Sequence, residues 1–493
     1  MACFETPIVV IEKPAQGLEP DCLANLRAFT RWIRTLDFSI HLLVVTLKLP
    51  GSGGFLRLCS LLTCPPKSPQ AMPKLSHAYF AIVRSLCVCL SLFCSARCQA
   101  TAPVPQETSK PAVPKSSSLQ TSSLQTSLLG LSKTQPDAGP FVKLADDLYM
   151  IPYTHRVEET EVSFEMIPIP GGKITIGSAE NQPGHSQDEG PEFTVEVEPF
   201  WMAKTELTWA EYKDFLKTYE IFKRLSRQGI RKASGLDQAD AITVPTPLYE
   251  PSFTYEFGDD PKQPAVTMTQ YAAKQYTKWL SGMTGTEYRL PTETEWEYAA
   301  RAGSSTAYSF GDDPQELEHY AAFAGNSPDG APKVASKKPN AYGLHDMHGS
   351  VWEWTLDHYA ADSYAGREGK TLSVEQALVL PKEKDSRCVR GGGWQDPPER
   401  LRSAARLGSV DKVWKDADPN VPKSPWWFTN DPARMVGMRL VRSAKPLTQD
   451  QQKLVWEIDN NEIREDVDFR LQEGRGAIGI PVPELIQEFK RKK

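Results

Sequence analysis

The chain has 493 residues, of which 40% are hydrophobic and 24% are charged. A chain of this length and composition can bury a large core, so disorder over the whole chain is excluded. The formal net charge of −6 gives no global reason to expect binding to nucleic acids or to anionic membranes.

Residues 72–100 carry the pattern of a secretory signal peptide. Met72 and Lys74 begin it, residues 85–94 form an apolar run, and Cys98 and Ala100 suit a cleavage site. The run is shorter than the ~20 residues that span a bilayer. We therefore predict no transmembrane segment in the mature chain, and export to the periplasm or the extracellular space. A buried apolar helix is the alternative for this segment. Residues 1–71 carry no motif and are unassigned, and translation from Met72 is our hypothesis for the true start.

Residues 101–140 are predicted to form a linker. Ser, Thr and Pro fill nearly half of these positions, and the run SSLQT occurs twice in tandem. Such a segment has too little apolar content to offset the entropy lost on ordering. Eight of the nine cysteines precede the linker and Cys388 follows it, so the predicted mature chain carries one thiol.

Three helices and several short strands are predicted beyond the linker. Capping boxes begin the first and third helices at Thr208 and Thr292, and Thr269 caps the second. Gly282 and Gly303 are predicted to end the second and third. Short strands are predicted at 174–176, 193–197, 388–390 and 438–441. This pattern predicts an α+β domain over 141–444. Residues 445–493 are predicted to be a C-terminal extension with short helices at 453–463 and 484–489.

Eight segments of this domain form an ordered set. They are 169–172 (IPGG), 188–191 (DEGP), 200–208 (FWMAKTELT), 289–301 (RLPTETEWEYAAR), 339–344 (PNAYGL), 349–354 (GSVWEW), 390–394 (RGGGW) and 436–442 (VGMRLVR). In this order they resemble the formylglycine-generating enzyme family, also called sulfatase-modifying factors, over residues 160–443. The resemblance implies an irregular α+β fold related to C-type lectins, with short strands and few helices.

The resemblance also implies an activity that the residues oppose. Authentic enzymes of the family use molecular oxygen to oxidise a sulfatase cysteine to formylglycine, and they hold copper(I) between two cysteine thiolates. In those enzymes the pair follows a glycine-rich turn, which corresponds to residues 391–394 (GGGW) of this chain. Residues 395–402 (QDPPERLR) follow the turn here and contain no cysteine. Cys388 precedes the turn and is predicted to be a buried strand residue. One thiolate cannot form a two-thiolate site, so copper is not expected.

A structural calcium site is the cofactor that the resemblance implies for this chain. Position by position, the family's ligands fall on Asp346, Gly349, Val351 and Glu353. Two carboxylates and two backbone carbonyls are hard oxygen ligands of the kind that Ca²⁺ prefers. The alternative is a tight turn in which Glu353 makes an internal hydrogen bond.

Four tryptophans are candidate substrate-binding residues: Trp394, Trp414, Trp426 and Trp427. Trp394 ends the glycine-rich turn, and the other three lie in a proline-rich insertion before the last predicted strand. Exposed indole rings could stack on a sugar or clamp an extended peptide. The alternative is that they cover the core as an irregular lid.

Two functional hypotheses from different classes remain. The first is an exported oxidase of the sulfatase-modifying factor family that converts a sulfatase cysteine to formylglycine. The second is a non-catalytic envelope module that binds a peptide or a glycan. The expected partner is therefore a protein or peptide, such as a sulfatase, or a glycan, and not a nucleic acid.

Overall fold

The computed structural model describes residues 129–248, 251–416 and 423–491, together with the backbone of 40–48 and 55–63. The chain divides into two units, 1–112 and 113–493. The first contains an antiparallel pair of strands, Ile40–Lys48 (β1) and Phe55–Thr63 (β2). The predicted signal peptide, and the predicted linker as far as residue 128, lie outside the described residues.

The second unit is mixed α+β, which confirms the predicted fold class. Its strands are Leu131–Ser132 (β3), Val142–Ala145 (β4), Leu148–Met150 (β5), Tyr153–Arg156 (β6), Ser163–Ile169 (β7), Gly172–Ile176 (β8), Phe193–Val197 (β9), Phe200–Ala203 (β10), Ile242–Pro245 (β11), Trp352–His358 (β12), Thr371–Ser373 (β13), Arg387–Arg390 (β14), Arg406–Gly408 (β15), Val436–Gly437 (β16), Val441–Ser443 (β17) and Gly476–Gly479 (β18). Its α-helices are Trp209–Arg227 (α1), Pro251–Tyr255 (α2), Gln270–Thr284 (α3), Glu293–Arg301 (α4), Leu317–Tyr320 (α5), Val374–Ala377 (α6), Asp411–Trp414 (α7), Gln449–Trp456 (α8), Asn461–Gln472 (α9) and Ile486–Lys490 (α10).

The strands form several small sheets, and two of them position the site. One has the order β17-β10-β7-β6, and the other has the order β15-β14-β12-β16. In the second sheet β12 is antiparallel to β14 and parallel to β16. Helix α4 contacts both β12 and β14, so the third predicted helix lies against the strands that flank the glycine-rich turn.

Local capping signals set the helix starts. The side chains of Thr208 and Thr292 form capping boxes, and Thr269 accepts a hydrogen bond from the backbone N–H of Ala272. The predicted end of α3 at Gly282 is wrong, because the helix continues to a left-handed Gly285. A Cβ atom on Gly282 would lie 2.7 Å from the carbonyl oxygen of Pro481. Glycine at 282 therefore allows the C-terminal segment to approach the helix.

Residues 445–493 belong to the same packed unit as the domain that precedes them. Strand β18 pairs with β11, and apolar side chains of this segment join the main core cluster. The single helix predicted at 453–463 is wrong, because α8 ends at Trp456 and Asn460 caps a new helix, α9. In the interruption, the Asp459 carboxylate pairs with Lys274 and Arg387. Across the described residues, no helix has the length and apolarity to cross a membrane.

Candidate functional site

The glycine-rich turn 391–394 links β14 to the loop where the family keeps its cysteine pair. Gly391 and Gly392 have φ values of 104° and 81°, and a Cβ atom on Gly392 would lie 2.8 Å from a methyl group of Leu401. Glycine is therefore required at this position. The carbonyl oxygen of Gly391 accepts a hydrogen bond from the N–H of Gly349 at 2.8 Å, so the turn is fastened to the 349–354 segment.

Asp396 forms a second set of hydrogen bonds between the glycine-rich turn and the 349–354 segment. One of its carboxylate oxygens accepts hydrogen bonds from Trp352 Nε1 at 2.6 Å and from the N–H of Gly393 at 2.8 Å. Arg400 lies over the same indole, with its guanidinium carbon 5.6 Å from the ring centroid. The loop that would hold the cysteine pair is therefore fixed by a carboxylate and not by a metal–thiolate centre.

Cys388 lies on β14, before the turn, and is fully buried. Its thiol donates a hydrogen bond to Glu293 Oε1 at 3.0 Å. Burial, and then the charge of Glu293, raise the pKa of this thiol well above its ordinary value. A neutral thiol is a poor nucleophile and a poor metal ligand. In the described part of the chain, no group of three or more His, Cys, Asp or Glu side chains is arranged to hold a metal ion.

A buried ion network lies beneath the turn. Glu293 accepts hydrogen bonds from Arg406 Nε at 2.6 Å and from Arg390 at 3.2 Å, and Arg390 also pairs with Glu297. Burial alone would raise the pKa of Glu293, but Arg406 and Arg390 outweigh it and hold that pKa at about 2. Glu293 is therefore a fixed anion that holds α4 to β14 and β15.

Asp357 at the end of β12 behaves in the opposite way. Burial, followed by repulsion from Glu293, raises its pKa to about 8. Its Oδ2 accepts a hydrogen bond from the N–H of Glu293 at 2.6 Å. Sequence reasoning missed this carboxyl, because no local pattern shows that a distant glutamate packs beside it.

Glu353, one of the four predicted calcium ligands, is already engaged by neighbouring side chains. Both carboxylate oxygens of Glu353 accept hydrogen bonds from Arg439 at 2.7–3.1 Å, and one also accepts from Trp296 Nε1 at 2.8 Å. A guanidinium bound to Glu353 neutralises the carboxylate and would repel a second cation. The carboxylate of Glu353 thus makes internal hydrogen bonds, as in the alternative interpretation of this turn.

Asp346 differs from Glu353, because one of its oxygens has no partner. Its Oδ2 accepts a hydrogen bond from the N–H of Ala335 at 2.7 Å, and its buried Oδ1 accepts none from the described residues. Glu206, which the sequence did not single out, is buried beside Asp346 and interacts with it. Burial, and then the neighbouring Asp346, raise the pKa of Glu206 well above its ordinary value. Its position within segment 200–208 was the signal that could have identified it.

The predicted substrate-binding role of the four tryptophans needs correction, because all four are buried. Trp394 packs 5.3 Å from the ring of Phe257. Trp414 and Trp427 pack against core rings, and Trp426 Nε1 donates to Thr243 Oγ1 at 3.3 Å. Their large apolar area stabilises the core, so no indole face is available to stack on a ligand.

The accessible side chains beside the glycine-rich turn are smaller or more polar than these tryptophans. We call them the turn surface: Phe257, Phe323, Pro328, Gln395 and Arg400. Gln395 is exposed and its amide donates to the carbonyl oxygen of Pro328 at 3.3 Å, and Arg400 is 45% exposed. The turn surface combines half-buried rings, an exposed amide and one cation on a fixed scaffold.

Several known proteins are similar to this chain over the domain described above. Residues 154–416 match the sulfatase-modifying factor enzyme 1-like domain. The formylglycine-generating enzyme of Thermomonospora curvata is 27% identical over 282 residues, which cover 51% of this chain and 90% of that protein. The inactive C-alpha-formylglycine-generating enzyme 2 of Mus musculus is 26% identical over 277 residues, which cover 50% and 80%.

Two further similarities are partial. The serine/threonine-protein kinase pkn1 of Chlamydia pneumoniae is 31% identical over 253 residues, which cover 49% of this chain and 35% of that protein. This chain therefore spans about a third of the length of that relative. The solved structure of PvdO from Pseudomonas aeruginosa is 27% identical with a TM-score of 0.40, covering 58% of this chain and 97% of that one.

Proposed function

Because the chain belongs to the family of the sulfatase-modifying factor enzyme 1-like domain, we propose that it binds a polypeptide at the turn surface without oxidising it. The ligand class is an extended peptide of the kind that a sulfatase presents. Export through segment 72–100 is part of the proposal and rests on the sequence pattern.

The non-oxidising part of this proposal depends on the Cys388 thiol. Copper(I) in a two-thiolate site needs two deprotonated cysteines close together. Cys388 is the one cysteine of residues 129–491, and it is buried and hydrogen-bonded to Glu293. A thiol whose pKa is raised by burial stays protonated at neutral pH.

The turn surface supports the binding part of the proposal. Asp396 and the two positive-φ glycines hold it rigidly, so little ordering entropy is lost when a ligand binds. Gln395 offers an amide to a peptide backbone, and Arg400 offers a guanidinium to a carbonyl or carboxylate group. The relative from Mus musculus, whose name calls it inactive, shows that the family includes a member described in that way.

The test measures oxidation and binding on the same full-length protein. The chain, loaded with copper(I) in the presence of oxygen, is incubated with a cysteine-containing sulfatase peptide, and mass spectrometry detects formylglycine. We expect no conversion. Fluorescence anisotropy with the labelled peptide should show saturable binding that Arg400→Glu weakens at least tenfold. Lys453→Glu makes the same charge change on an exposed residue of the C-terminal segment and should leave binding unchanged.

The second candidate function is the formylglycine-generating oxidase itself. The match to 90% of the Thermomonospora curvata enzyme favours it. Formylglycine in the assay would overturn the non-oxidising proposal, and its loss in Cys388→Ser would assign the reaction to that thiol. If the peptide does not bind and a glycan does, the turn surface would instead belong to the glycan-binding alternative.

A further inference from the structure

A positively charged face lies where the end of α1 meets the C-terminal segment. Arg224 on α1 and Arg491 after α10 pair with the same carboxylate, that of Glu488. Arg231, just beyond α1, lies 3.6 Å from Glu484. We call the cations of this region the basic face: Arg224, Arg227, Arg231, Lys232, Lys490 and Arg491. Three acids pair with these six cations, so the basic face and its acids together carry a net charge of +3, although the whole chain is negative.

The cations of the basic face are accessible to a partner. Arg227 and Lys232 are exposed, and no ion pair joins either of them to a described residue. The side chains of Arg231 and Lys490 are paired but remain 34% and 48% exposed. An exposed ion pair contributes little free energy, so an external anion can compete with the pairing acids for these cations.

Ile230 is an exposed apolar side chain between the cations. Gly229 ends α1 with a φ of 71°, and the N–H of Ile230 bonds the carbonyl oxygen of Leu225 at 2.9 Å, so the turn is fixed. A Cβ atom on Gly229 would meet no other atom within 4 Å, so the turn projects into solvent. Ile230 is 47% exposed there, with Arg227 and Arg231 on either side of it in the chain.

We propose that the basic face binds the surface of a membrane that contains anionic phospholipids, with Ile230 inserted among the headgroups. Basic residues are attracted to the negative potential of such a surface, and an apolar side chain gains free energy at the boundary between headgroups and acyl chains. A soluble sulfated polysaccharide would offer the same charge but no apolar layer for Ile230. Membrane binding goes beyond the proposed function and does not depend on it, because the turn surface takes no part.

The experiment measures sedimentation of the full chain with lipid vesicles. One set contains phosphatidylcholine alone, and the other contains one phosphatidylglycerol for every two phosphatidylcholines. Residues 85–94 are apolar, so the neutral vesicles measure any binding that does not depend on charge. We expect at least tenfold tighter binding to the anionic vesicles, lost at about 1 M salt, where the Debye length falls to about 3 Å.

Variants of the basic face assign this binding to named residues. One Lys or Arg near an anionic surface strengthens binding by about fivefold, so Arg227→Glu and Lys232→Glu should each weaken it at least fivefold. Ile230→Ser should weaken it by about fivefold, because half of the isoleucine side chain is there to be buried. Lys453→Glu, the same charge change on α8, should leave it unchanged.

Equal binding to the two kinds of vesicle, or equal weakening by Lys453→Glu, would overturn the proposal. Heparin tests the polysaccharide alternative: binding to heparin that Ile230→Ser does not change, without binding to anionic vesicles, would also overturn it. The substituted side chains are exposed, so the variants should keep the wild-type Tm. If Arg227→Glu does not fold, Lys232→Glu, which lies beyond the helix, decides the question.

Discussion

Replacing Asp459 with asparagine removes an anion that pairs residues 445–493 with buried cations of the preceding domain. Its carboxylate lies 2.6 Å from Arg387 and 3.1 Å from Lys274. The side chains of these two cations are 4% and 3% exposed, and that of Asp459 is 22% exposed. Asparagine keeps the size of the side chain but leaves two buried cations without their counter-ion.

Removal of one partner from a buried ion pair typically destabilises a protein by about 3–5 kcal/mol. Asp459 retains some contact with solvent, and asparagine can still accept a hydrogen bond. We therefore expect Asp459→Asn to lower the free energy of unfolding by about 3 kcal/mol, the lower end of that range.

Urea unfolding followed by tryptophan fluorescence measures this change, and Trp456 lies in the affected segment. Asp450→Asn is the matched control, because Asp450 is almost fully exposed and its nearest cation, Lys453, lies 3.9 Å away. An exposed pair of this kind contributes at most about 1 kcal/mol. A loss below 1 kcal/mol in Asp459→Asn would show that this ion pair does not hold the C-terminal segment.

The pH dependence of the free energy of unfolding gives a second test of the Asp459 ion pair. Burial opposes ionisation of Asp459, but Lys274 and Arg387 outweigh it and hold its pKa well below the ordinary value. A lowered pKa contributes stability that is fully present above the unfolded value of about 3.9 and is lost as the pH falls. The difference between wild type and variant should be constant from about pH 5 to 7 and should shrink below about pH 4.

Two further predictions concern buried groups near the turn. Arg439→Met leaves the buried Glu353 without a counter-ion and should lower the free energy of unfolding in urea by about 3–5 kcal/mol. Lys445→Met breaks an exposed ion pair and should lower it by less than about 1 kcal/mol. Equal losses of unfolding free energy in the two variants would contradict the conclusion that burial makes the Arg439–Glu353 pair the stronger one. Maleimide labelling of the native chain, read by peptide mass spectrometry, should leave Cys388 unmodified until denaturant is added, because burial and Glu293 keep it protonated. Rapid labelling in the folded state would contradict this placement.

Local signals in the sequence were sufficient for some elements. The capping boxes at Thr208 and Thr292 predicted the starts of α1 and α4, because a cap involves only residues within one turn of the helix. The end of α3 could not be predicted in this way. Gly282 is a helix-breaking residue in isolation, but here its small size admits Pro481, which lies far away in the chain.

The candidate site, too, could be predicted only in part from the sequence. The family resemblance assigned Asp346 and Glu353 to one site, but it could not show that Arg439 binds one and Glu206 interacts with the other. The large indole of Trp426 suggested a binding surface, although it is fully buried. Burial depends on which elements pack together, and no window of sequence contains that information.

The pairing of β11 with β18 has a consequence for synthesis of the protein. Ile242 lies opposite Gly479, and β18 also packs on α1, where a Cβ atom on Gly479 would contact Phe222. This contact cannot form until the ribosome has made residues 476–479. The part of α1 around Phe222 therefore stays uncovered by β18 until the end of translation, which exposes this apolar side chain in the nascent chain. We expect this interval to create a requirement for chaperones.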